Sequence, residues 1–91
     1  MRCIRVVVHG RVQGVWFRGW LADQARARGV GGWVRNRHDG TVEAVFDGPS
    51  DEVQALVAAC WQGPPAARVT RVEEFAHDEP GPTPFEQRPS V

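Results

Sequence analysis

Ile4, Val6 and Val8 alternate with Arg5, Val7 and His9 as far as Gly10, which is the period of a strand with one buried face. Beyond Arg11–Trp16 the period lengthens. Phe17, Leu21 and Ala25 recur at helical spacing with Trp20 beside them, predicting a helix over Phe17–Arg28 that Gly29 brings to a stop. Trp33–Asn36 and Thr41–Phe46 are short β-prone runs on either side of Arg37-His38-Asp39-Gly40, and the Asp-Gly pair predicts that they close as a hairpin. Gly48-Pro49-Ser50-Asp51-Glu52 offers capping residues and negative charge to the amides of a second helix start. Val53, Leu56, Val57 and Cys60 then mark its buried stripe, and it ends near Gly63-Pro64-Pro65.

Arg68–Phe75 has strand composition, but its apolar residues fall three apart, which predicts a bulge or a largely solvated edge position. Glu79-Pro80-Gly81-Pro82-Thr83-Pro84 is a turn-rich connection, and Phe85–Arg88 is expected to add a short edge strand. The order β-α-β-β-α-β predicts an α+β, ferredoxin-like sandwich: an antiparallel sheet, two helices on one face and a short fifth strand at an edge.

Length and composition narrow the classes. Ninety-one residues are expected to make one domain, spanning 1–91, and 42% hydrophobic with 24% charged residues is ordinary globular usage. Eleven basic side chains balance eleven acidic ones, so no global field draws the chain to nucleic acid or to an anionic membrane. All the basic residues are Arg, which removes Schiff-base lysines and phosphate-loop lysines from the chemistry available. The apolar run at Met1–Val8 is too short for a signal peptide, and a cytoplasmic monomer is expected. Cys3 and Cys60 form no CxxC pair and are expected as buried, reduced thiols; His9, His38 and His77 lack metal-ligand spacing, so neither metal nor cofactor is expected.

The segment Gly10-Arg11-Val12-Gln13-Gly14-Val15-Trp16-Phe17-Arg18 joins the first strand to the first helix. Successive amides of a tight turn converge on one point, and the free amides and positive dipole end of a helix start reinforce them, so the junction suits an anion such as phosphate. Arg18, in the opening turn, has the forked geometry to hold two phosphate oxygens. From spacing alone, the segment reads equally as an ordinary glycine-containing βα turn with a solvated arginine. It matches neither GxxxxGK[ST] nor GxGxxG, and Val12 stands where a cysteine-nucleophile phosphatase carries its Cys ahead of the loop arginine. No Ser, Thr, Cys, Asp, Glu or His lies between Gly10 and Arg18, so hydrolysis there requires direct attack by water.

Gly10–Arg18 resembles the signature GxVQGVxFR of the acylphosphatases. Gly32-Trp33-Val34-Arg35-Asn36, followed by Gly40-Thr41-Val42 and Gly48, resembles that family's second signature. The resemblance covers essentially the whole chain and is to the small common-type members. It implies the fold predicted above and hydrolysis of acyl phosphates to carboxylate and inorganic phosphate. By the same resemblance, the backbone amides of Gln13, Gly14, Val15, Trp16 and Phe17, with Arg18, bind the phosphate, and Asn36 orients the attacking water. A neutral amide suits that task, because a carboxylate would repel the dianion. Arg35 stands where Lys is frequent, Trp16 fills a variable position, and Gln87 stands where an apolar residue is usual, a departure expected to touch only the packing of the last strand.

Other residues read as structural. His9 adjoins the loop at an outward strand position, and the family's chemistry needs no imidazole. Trp16, Trp20, Trp33 and Phe46 are expected in core or loop packing rather than as a base-stacking surface, and Trp61 as cover for the end of the second helix. The expected partners are therefore an acyl phosphate and inorganic phosphate, with no nucleic acid and no membrane. The alternative is an accessory, non-hydrolytic domain of this family, such as the one opening hydrogenase-maturation carbamoyl-transfer proteins, or a ligand-binding ferredoxin-like module.

Overall fold

A computed structural model describes residues 1–91. The elements are β1 (Arg2–Arg11), α1 (Phe17–Ala27), β2 (Gly31–Asn36), β3 (Val42–Gly48), α2 (Ser50–Gln62), β4 (Arg68–Ala76) and β5 (Glu86–Gln87). They form one five-stranded sheet in the order β4-β1-β3-β2-β5. No helix is long and apolar enough to cross a membrane.

Register explains the core. Ile4, Val6 and Val8 of β1 lie opposite Phe46, Ala44 and Val42 of β3, and Val34 of β2 lies opposite Ala44, so the alternating residues of three strands fall on one face. Phe17, Leu21, Ala22 and Ala25 of α1 and Val53, Leu56, Val57 and Cys60 of α2 join them in one buried cluster. The glycine stop of α1 is a Schellman arrangement. Gly29 takes φ 69°, its amide donates to Arg26 O, and the Val30 amide donates to Ala25 O. At α2 the expected cap is displaced. Pro49 is the N-cap and Ser50 is already helical, with no side chain capping the first turn, although Asp51 and Glu52 do sit at its positive end.

Three features differ from the simple alternating pattern. β4 is the edge strand predicted and carries a bulge as well: Arg71 opposes His9, whereas Val69 opposes Gly10, leaving Thr70 extra, so Val69 and Val72 share the core face while Phe75 falls on the other beneath Arg5. β5 runs parallel to β2, so the antiparallel sheet expected is antiparallel only over its first four strands. The chain leaves β4 at one edge and must cross to the other before pairing. The crossing segment lies so close to β2 that the Gly32 amide donates to Pro82 O, and a Cβ on Gly81 would meet the Gly32 Cα. Finally, the face away from the helices is not simply polar, since Val7, Val45, Trp33 and Glu43 are buried there. Glu43 accepts from Arg5 at 3.0 Å and from Arg35 at 2.7 Å. The Arg5 guanidinium lies over Phe75, and those of Arg35 and Arg88 over Trp33, so long side chains do the covering that a third layer would otherwise do.

Candidate active site

The site begins at the bulge. Gly10 has φ 121°, and a Cβ there would lie 2.1 Å from Arg68 O, so only glycine lets β1 stay against β4 to its end and then turn into the loop. Val12 and Val15 anchor the loop in the core, while Gly14 between them and Trp16 after them are exposed. Gly14 takes φ 73° and Trp16 φ 66°; alternating hands of this kind curve a backbone around a concavity. Trp16 is the N-cap of α1, and the first turn has neither a capping side chain nor an acidic residue, so its amides are left to solvent or to an external anion.

The concavity has a volume of about 120 Å³. Val12, Gln13, Gly14, Trp16, Phe17, Arg18 and Gly19 line it from the loop and the first helical turn, Asn36 from the end of β2, and Gln87 from β5. Arg18 and Asn36, far apart in the chain, thus share one cavity. Arg18 forms no ion pair, so its charge is not neutralised by a neighbouring carboxylate. Val15 is the one predicted residue outside the lining, because its side chain points into the core.

The lining contains no carboxylate, imidazole or thiol. His9 lies outside it and pairs with Glu73 through Nε2 and Oε1 at 2.5 Å; that hydrogen bond holds the Glu73 carboxyl below the usual range. Both cysteines are free. Cys60 is buried, and desolvation pushes its thiol up to about 12, whereas Cys3 is only half-buried, with Sγ 3.4 Å from Glu79 O.

Three residues do more than the sequence indicated. The Gln13 side chain donates from Nε2 to Arg37 O and Thr41 O, both at 2.8 Å, and so ties the loop to the β2–β3 turn. Gln87 lines the cavity rather than merely altering strand packing; its signal was its place two after Phe85, on the core-facing side of a strand, where a polar residue needs an opening. Trp16 is not packed away as expected but is 65% exposed at the cavity. Of the other aromatics, Phe46 is in the core, Trp20 packs edge-on against Phe17, and Trp33 lies on the opposite face of the sheet from Phe46, so they form no common stacking surface.

Comparison with known proteins agrees along the full length. The family model for acylphosphatase matches residues 4–87. An acylphosphatase of Rhodospirillum rubrum is 51% identical over 94 aligned positions that cover 100% of both chains. Among solved structures, an acylphosphatase from Coxiella burnetii superposes with a TM-score of 0.91 at 37% identity, covering 96% of this chain and 92% of that one. One from Bacillus subtilis gives 0.82 at 36% identity, covering 100% and 98%. With both signatures folded around one cavity and this likeness running from end to end, the chain belongs to the acylphosphatase family.

Proposed function

We propose that the protein hydrolyses acyl phosphates, with the phosphate held by Arg18 and the loop amides of Gln13 to Phe17 and the attacking water oriented by Asn36. Family membership supports the reaction. The observation that carries the assignment of roles is that Arg18, the loop and Asn36 line the same cavity.

The acyl phosphate dianion enters with its phosphate toward Arg18, whose fork and the first-turn amides of α1 hold its oxygens and the charge that gathers on them in the transition state. The Asn36 amide accepts a hydrogen bond from a water beside phosphorus and keeps it in line with the bond to be broken. Water oxygen bonds to phosphorus as the bond from phosphorus to the acyl oxygen breaks. The bonding pair leaves with the carboxylate, and the water's protons remain with the phosphate product, so dianion plus water becomes carboxylate plus dihydrogen phosphate. A carboxylate departs without protonation, which matches a cavity lined by no acidic side chain.

The test is release of inorganic phosphate and acetate from acetyl phosphate by the purified protein. Equimolar release with turnover supports the reading; phosphate binding without turnover would leave a binding module instead.

A further inference from the structure

We infer that the Trp16 indole is the platform for the acyl group, favouring acyl phosphates whose acyl part is aromatic or broadly apolar; the inference rests on the acyl-phosphate reading above. The cavity is small. At about 120 Å³ it is well below the roughly 300–1,000 Å³ of pockets that enclose a whole small molecule, so a phosphate fits inside and a large acyl group does not. The acyl part must therefore project past the rim.

What stands at the rim is Trp16. The large exposed hydrophobic residues are Met1, Trp16, Trp61, Phe75 and Val91, and of these only Trp16 lines the cavity. It is also the one non-glycine residue with positive φ, a conformation unfavourable for any L side chain and especially for a bulky one. The ring is nevertheless seated. A Cβ on Gly19 would come within 2.2 Å of Trp16 Nε1 and 2.5 Å of its Cε2, so the indole lies on the bare backbone of the first helical turn. Glycine weakens a helix, and here its missing Cβ is what gives the ring a place. An exposed ring in a fixed seat is preorganised to stack on a flat or apolar group.

The experiment measures kcat/KM for benzoyl phosphate divided by kcat/KM for acetyl phosphate, a ratio in which any change in the grip on the shared phosphate cancels. Trp16→Asn removes the ring with a residue that tolerates positive φ, and the ratio should fall about five- to tenfold. Trp16→Phe should keep most of the parent's ratio. Gly19→Ala leaves the loop sequence intact and favours the helix but evicts the ring, so it should also lower the ratio. A ratio within about twofold of the parent's in either Trp16→Asn or Gly19→Ala overturns the inference. Failure of the parent to hydrolyse either substrate overturns the reading beneath it.

Discussion

Gln13 donates from its side-chain amide to the carbonyl oxygen of Arg37, 2.8 Å away, and the same nitrogen reaches Thr41 O at 2.8 Å. Arg37 directly follows Asn36, so one side chain holds the loop and the end of β2 in a fixed relation. Gln13→Ala removes both bonds, and about 1–2 kcal/mol of stability should go with them, read as a lower urea midpoint. Because the proposed water-holding residue then drifts relative to the loop, kcat should fall by more than KM changes. A variant with the parent's kcat would show that the tie is structural only.

The buried thiol of Cys60 sets an alkaline limit. Its folded-state value is raised to about 12 from an ordinary 9.0, so above pH 9 the unfolded chain releases a proton that the native chain keeps. Stability should therefore be unaffected by this group below pH 9 and should fall by about 1.4 kcal/mol per pH unit between pH 9 and the folded-state value of about 12. Urea unfolding at pH 8 and pH 10 measures the slope, and Cys60→Ala should flatten it. An equal slope in both proteins would assign the alkaline loss elsewhere.

Much of this architecture is legible in the chain because periodicity reports which face is buried: Ile4, Val6 and Val8 and the stripes of α1 and α2 all fell where the alternation put them. Burial of Val7 and Val45 was not legible, since it depends on strand pairing that sets Val7 between Glu43 and Glu73 and Val45 between Arg5 and Trp33. The same distinction holds at the cavity. Arg18 and Asn36 stand in motifs, whereas the reach of Gln13 to the hairpin turn and the arrival of Gln87 from a parallel fifth strand are products of tertiary pairing between distant segments.

Exhaustive chelation should leave acetyl phosphate hydrolysis unchanged. The groups that meet the phosphate in this account are a guanidinium and amides, and the lining supplies no carboxylate, imidazole or thiolate to hold a metal there. Activity lost to EDTA and restored by magnesium would contradict it.

Leaving-group dependence should be steep. With no proton donor in the lining, alkyl phosphate monoesters should be cleaved orders of magnitude more slowly than acyl phosphates, with esters of acidic phenols between them. His9 is held by Glu73 outside the cavity, so His9→Gln should keep that order. Comparing kcat/KM for acetyl, nitrophenyl and glycerol phosphates checks both statements; similar values for acetyl and glycerol phosphate would mean a general acid at the site, with His9 the first residue to test.

The central claim is the division of labour between Arg18 and Asn36, and the most direct measurement is kcat for acetyl phosphate beside the competitive Ki of inorganic phosphate in Arg18→Ala and Asn36→Ala. Arg18→Ala should lose both phosphate affinity and turnover, because the loop amides alone do not neutralise a dianion. Asn36→Ala should keep a Ki near the parent's while kcat falls, because the group removed touches the water and not the phosphate. An Asn36→Ala protein that loses phosphate affinity as severely as Arg18→Ala, with kcat unchanged, would contradict the account.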